Sequence, residues 1–256
     1  MTTTPVGMRC PECSRARTSV KTMRSISAGH GWEATQALIA INVVAFLAEG
    51  SSAYTISGQP FSSKLVSDGL LYAPYISINH DYYRLLTSAF LHENFLHIAF
   101  NMYLLYVLGR MLEPAIGHLR FLTIYFVALF AGSLGVFVVS PHQGSLGASG
   151  AIFGLLGAAY FEMRRRGIDP VRSGIVPTIL LNLVISLTLP NISIGAHIGG
   201  LIGGALAILA FHAGDRRRAP ALAYAGCAVI AVASIAGAHA LASAITATES
   251  TRVRPR

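Results

Sequence analysis

Apolar residues in this chain gather in long runs separated by mostly short polar connections. A helix needs about 20 predominantly apolar residues to cross a hydrocarbon core. Six runs reach or approach that length: Trp32–Ala48, Phe95–Leu112, Leu119–Val139, Leu146–Met163, Val176–Leu189 with its flanks, and Ile192–His212. A seventh, Ala219–Ile245, is Ala-rich and also long enough. The pattern predicts an all-α polytopic membrane protein in three parts: a polar tail over 1–31, a six-helix core over 32–213, and a basic loop, seventh helix and short tail over 214–256. Trp32 suits an interfacial anchor at the start of the first helix. One connection is long. Residues 51–90 mix Gly58, Pro60, Gly69 and Pro74 with Tyr54, Phe61, Tyr72, Tyr75, Tyr82, Tyr83 and Phe90. A loop of that length in a compact bundle has a function or a structure of its own. Its aromatic content fits the membrane interface, and composition alone leaves an ordinary outer loop equally open.

Composition agrees with the run lengths. Of 256 residues, 53% are hydrophobic and 12% charged, against roughly 25% charged in a soluble domain. The net charge of +8 would suit nucleic-acid binding if the basic residues formed a groove, but they sit in the termini and in alternate short loops. Arg9, Arg15, Arg17, Lys21, Arg24, Arg110, Arg120, Arg164, Arg165, Arg166, Arg172, Arg216, Arg217 and Arg218 fall on one side of the predicted spans; Lys64, Arg84, Arg252, Arg254 and Arg256 fall on the other. Fourteen against five predicts a cytoplasmic N-terminus in a cell membrane, with no nucleic-acid partner. The three arginines of the outer C-terminal tail run against the rule. Residues 1–31 lack the apolar core of a cleavable signal, so the first helix is expected to act as an uncleaved anchor. Cys10 and Cys13 form a Cys-Pro-Glu-Cys pair, half of a zinc knuckle with no second pair following. No metal is therefore expected, unless the chain begins partway through a larger zinc module.

Ionisable and polar residues inside spans are costly, so each is a functional candidate. His97 and Asn101 stand four apart on one face of the second helix, with His92 just before it. The fourth helix opens with Gly147-Ala148-Ser149-Gly150, and the sixth carries Ala196-His197 near its start. All three helices run from outside to inside, so these groups share one depth on one side. A serine hydroxyl needs a base to become a nucleophile, and His197 can be that base. No acid lies in the outer half of a span apart from Glu93 at the lip, so the predicted unit is a Ser149–His197 dyad. Stacking then has to orient His197, and Phe153, one turn below Ser149, is the candidate ring. His97, Asn101 and the Ser149 backbone N–H at a helix N-terminus are candidate oxyanion donors. Gly150 with Gly154, and Gly200 with Gly204, permit the close helix approach the dyad requires.

Gly147-Ala148-Ser149-Gly150, Ala196-His197-Ile198-Gly199-Gly200, and His92, His97 and Asn101 spaced H-x4-H-x3-N resemble the rhomboid family of intramembrane serine proteases. Tyr83-Arg84 is similar to that family's aromatic-Arg pair, with Tyr where Trp is common, and Gly109-Arg110 with Glu113 and Gly117 to its segment after the second helix. The resemblance implies a rhomboid-like six-helix bundle with a seventh C-terminal helix. It implies Ser149 as nucleophile, His197 as base, an oxyanion site of the Ser149 amide, His97 and Asn101, and a cavity lined by His92, Phe153, Gly147 and Ala148. Residues 51–90 would be partly embedded beside the site. Substrates would be membrane-anchored proteins cut near the outer face at small residues, with no cofactor. Oligomeric state is left open. Two other classes compete. A metalloprotease would need H-E-x-x-H, but His92-Glu93-Asn94-Phe95-Leu96-His97 is one residue too long, a spacing expected to turn the second His away from the first. A transporter or client-binding protein would have no reason to activate Ser149.

Overall fold

The computed structural model describes residues 2–4, 7–9, 31–50, 63–188 and 192–252. Cys10, Cys13 and the first part of the long loop lie outside the described residues. Thr2–Thr4 (β1) and Gly7–Arg9 (β2) pair as a short antiparallel ribbon; every other described regular element is helical. The seven predicted spans appear as α1 (Glu33–Ala48), α5 (Phe95–Ile116), α6 (His118–Val139), α7 (Ser149–Arg165), α8 (Ile175–Thr188), α9 (Ile194–Arg217) and α10 (Pro220–Arg252). The long loop is structured as well, through α2 (Lys64–Gly69), α3 (Ala73–Ser77), α4 (Arg84–Thr87) and a 3₁₀ turn over Ser88–Phe90. Helices α5, α6, α9 and α10 are long and apolar enough to cross a membrane, while α1 and α8 are shorter apolar helices.

Helix α7 is the centre of the bundle. Residues 150–159 are all buried, because α5, α6, α8 and α9 pack around it. Lipid gives apolar helices no hydrophobic reason to associate, so such interfaces rely on small residues that let backbones touch. A Cβ on Gly200 would collide with the Gly150 carbonyl oxygen, and one on Gly204 with that of Gly154. A Cβ on Gly154 would meet Ala128 of α6 and lie 3.0 Å from the Gly200 oxygen. Gly195 and Gly199 seat α9 on α6 in the same way, against Gly135 and Ala131. Large apolar side chains point outward instead, among them Phe100, Tyr103, Leu181, Leu187, Val229 and Val232, as a chain solvated by lipid permits.

Polar groups join the helices at the arginine-rich end. Glu113 of α5 is fully buried and accepts from the backbone N–H of Ala34 (2.8 Å) and Thr35 (2.7 Å) and from the Thr35 hydroxyl. A carboxylate from another helix thus satisfies the open N–H groups of α1, whose own N-cap Trp32 supplies no side-chain bond. Glu162 of α7 pairs with Arg165 and Arg166 and, at 2.9 Å, with His212 of α9. At the opposite end the loop is held by Arg84, which is buried, bonds Asp81 at 3.0 Å and the Ser67 carbonyl at 2.8 Å, and stacks its guanidinium 4.1 Å from the Tyr75 ring. The loop also packs against α10. It meets the entry to α7 through paired Leu71–Ser145 backbone bonds and a 2.8 Å bond from Gly147 N–H to the Ser88 carbonyl.

Candidate active site

Ser149 is the first residue of α7. Its backbone N–H belongs to the first turn, where amides have no partner within the helix. The approach is made by Gly147, at φ +119°, a conformation that side chains rarely adopt. A Cβ there would also lie 2.8 Å from His97 Nε2 and 3.9 Å from Asn101 Nδ2. Glycine therefore satisfies two demands at one position, backbone conformation and the close presence of the α5 polar pair. Asn94 starts α5 by accepting from the His97 N–H at 3.0 Å. The next turns then carry His97 and Asn101 toward the loop that delivers Ser149. Ala148, just before the serine, is fully buried.

His197 comes from the first turn of α9, which Ser193 caps by accepting from Ala196 N–H at 3.3 Å. Its Nε2 lies 2.8 Å from the Ser149 hydroxyl oxygen. That separation is within reach of proton transfer, and it exists because Gly150 and Gly200 bring the two backbones together. Phe153 stacks on the imidazole at a centroid distance of 4.0 Å and an interplanar angle of 11°. The structure thus brings Ser149 to His197, sets Phe153 behind the imidazole, and places His97 and Asn101 beside Gly147, two residues before the serine.

The structure differs from the sequence reading at two points. His92 and His97 do not turn apart: their rings meet edge-on at 5.1 Å. His92 precedes the first turn of α5, so helical spacing does not govern its direction. Both His92 ring nitrogens lack a hydrogen-bond partner among the described residues, and no third ligating side chain joins the pair there. The second difference is what sequence reasoning missed. The far nitrogen of His197, Nδ1, lies 2.6 Å from the Ser186 hydroxyl of α8. A serine eleven residues upstream, in a helix that runs the other way, carries no spacing signal. Glu49, just past the end of α1, was also overlooked; it is buried and accepts from the His92 backbone N–H at 3.0 Å. Beside the dyad, under the loop, is a small cavity of about 30 Å³ whose walls include Gly132, Gly150 and Ala196.

Comparison with known proteins follows the same residues. Residues 79–214 match the model of the Rhomboid domain family. The chain is 41% identical over 133 residues to rhomboid protease GluP of Bacillus subtilis, covering 51% of this chain and 26% of that protein. It is 37% identical over 151 residues to RHOMBOID-like protein 7 of Arabidopsis thaliana, covering 57% of this chain and 48% of that protein. Against Rhomboid-like protease 1 of Toxoplasma gondii it is 34% identical over 153 residues, covering 57% and 52%. The chain spans from about a quarter to about half of the length of these relatives. With more than half of its residues matched to the family model, and the long apolar helices that a polytopic membrane protein requires, the chain belongs to the rhomboid family.

Proposed function

We propose that this protein is an intramembrane serine endopeptidase that cleaves membrane-anchored proteins near the face opposite its arginine-rich end. The observation that carries the proposal is the 2.8 Å contact between Ser149 Oγ and His197 Nε2. Ser149 Oγ attacks the scissile carbonyl carbon while its proton passes to His197 Nε2. Negative charge gathers on the carbonyl oxygen, which faces the Ser149 amide, His97 and Asn101 as donors. On collapse the C–N bond breaks and the proton on Nε2 goes to the leaving amine. Water then enters by the same route: His197 takes its proton, hydroxide adds to the acyl carbon, and Ser149 leaves with the proton returned.

The cavity beside the dyad bears on specificity. A volume of about 30 Å³, with Leu71, Leu129 and Val136 among its walls beside Gly132, Gly150 and Ala196, has room for little more than one water-sized group, so it favours a small side chain at the cleaved bond. The relatives that carry the word protease in their names support the reaction class. The arginine distribution supports a cytoplasmic N-terminus.

The experiment is covalent labelling. Detergent-purified wild type and Ser149→Ala are treated with a fluorophosphonate probe and weighed intact. A single adduct on the wild type alone is the expected result. No adduct on folded wild type, together with no cleavage of a single-span substrate in liposomes, would overturn the proposal in favour of a client-binding role.

A further inference from the structure

Helix α8 is buried at only two positions, Ile175 and Ser186, while Leu180, Leu181, Val184 and Leu187 are exposed. Many of its apolar residues face lipid, while Ile179 and Leu183 pack on the core and a serine points inward. A serine in a membrane helix ordinarily bonds back to the carbonyl four residues earlier, and Ser186 does so, 2.6 Å from the Asn182 carbonyl oxygen. It also does something such a filler has no need to do. Its oxygen stands 2.6 Å from Nδ1 of His197, whose other nitrogen faces Ser149 at 2.8 Å.

Counting hydrogens along this chain decides the state of the imidazole. Four groups lie in line: the Asn182 carbonyl, the Ser186 hydroxyl, His197 and the Ser149 hydroxyl. A carbonyl can only accept, and a hydroxyl has one proton. If Ser186 gives its proton to Nδ1, its oxygen and the Asn182 oxygen face each other at 2.6 Å with no proton between them, which is repulsive. Nε2 then carries a hydrogen aimed at Ser149, and the histidine cannot accept the serine proton. If Ser186 gives its proton to Asn182, every contact is satisfied: Nδ1–H donates to Ser186 Oγ, and the lone pair of Nε2 accepts from Ser149 O–H. The second arrangement makes three hydrogen bonds where the first makes two.

We infer that Ser186 is a positioning residue that holds His197 in the Nδ1–H tautomer and aims Nε2 at Ser149. It stands where a serine protease triad has its carboxylate, but it is neutral and borrows its own orientation from a backbone carbonyl of α8. This fits the setting, since an ionised acid at that depth would carry a large desolvation cost. Phe153 fixes the plane of the ring by stacking. A stack leaves the ring free to flip about its own plane, so it cannot select the nitrogen; Ser186 can. The inference rests on the protease reading for its effect on turnover, but the tautomer it predicts exists whether or not the protein cleaves anything.

The test therefore has two arms. In the first, ¹⁵N-histidine-labelled protein in bilayers is examined by solid-state NMR, with the His197 signals assigned by their loss in His197→Ala. Wild type should show a protonated Nδ1 and a bare Nε2, and Ser186→Ala should show a mixture or the opposite tautomer. A wild-type His197 protonated on Nε2 overturns the inference, as does a tautomer unchanged by Ser186→Ala. In the second arm, fluorophosphonate labelling and substrate cleavage are measured for Ser186→Ala, Ser186→Cys and Ser186→Thr. Loss of an orienting bond to the base should lower kcat about 10- to 100-fold with KM little changed. Ser186→Cys matches serine closely in size but is a weak acceptor, so it should fall with Ser186→Ala, and Ser186→Thr should recover most of the rate. Equal rates in all three variants overturn the inference. Inactive wild type with the expected tautomer would instead count against the protease reading alone.

Discussion

At the scale of single residues, the proposed site holds ordinary groups at hydrogen-bonding distance. The Ser149 hydroxyl has no special character of its own; in the proposed mechanism a 2.8 Å contact to an imidazole gives it a base. His197→Ala should therefore abolish turnover, since among the described residues His197 alone makes a hydrogen-bonding contact with that hydroxyl. Asn101→Ala should lower kcat by about 10- to 1,000-fold, the order seen when one oxyanion donor is removed, while leaving thermal unfolding near that of the wild type. Cleavage assays run beside melting curves check both. A complete loss in Asn101→Ala accompanied by unfolding would make that side chain structural, which its burial at 4% exposure also allows. The readable and unreadable residues differ in a physical way. His97 and Asn101 were legible because helical periodicity puts i and i+4 on one face. His92 was misjudged because it lies before the helix starts. Ser186 was invisible, since a serine in an apolar run reads as a backbone-bonded filler until its neighbour is known.

At the scale of helices, the site depends on three backbones in near contact. Alignment of α7 with α9 is what brings Ser149 to His197, and it leaves no room at Gly200 or Gly204 and a tight fit at Gly150, while Gly154 is closed off by Ala128 of α6 as well. A Cβ at Gly204 meets the backbone of Gly154 rather than a flexible side-chain end, so the helices themselves must separate. Gly204→Val is expected to lower stability by more than the ~1–3 kcal/mol typical of overpacking and to remove fluorophosphonate labelling, although residue 204 lies two turns from His197. Unfolding followed by heating in detergent, with labelling of the same sample, tests this; wild-type labelling in Gly204→Val would mean the crossing tolerates separation. Small residues four apart were visible in the chain, but that motif is common to many packed membrane helices. Which helix faces which was settled only by the crossings. The loop is a further case. Composition left 51–90 undecided, whereas the described part forms three short helices held by Arg84 and joined through Leu71 and Gly147 to the entry of α7.

At the scale of the whole molecule, two ends of one bundle do different work. One end gathers arginines with the Glu113 and Glu162 clusters that tie helices together. The other holds the loop and the Ser149–His197 pair. The orientation proposed for the bilayer rests on charge, so it can be tested without reference to chemistry. In a background with all three cysteines replaced, an impermeant maleimide on intact cells should label Lys64→Cys and spare Arg172→Cys until the membrane is opened. The reverse pattern would put the site on the cytoplasmic side. The sequence alone was enough for an all-α polytopic membrane protein, for the approximate bounds of its apolar helices, four of them long enough to cross a membrane, and for most of the polar residues that the structure brings close together. Those depend on run length, loop charge and periodicity, which are local properties of a chain solvated by lipid. Only the tertiary structure decided that Ser186 meets the far side of His197, that His92 leans on His97, that Glu49 reaches into the core, and that the long loop is built. Each of these is a contact between segments whose relative rotation and separation no local pattern encodes, because helix packing in lipid is set by the fit of small residues across several interfaces at once.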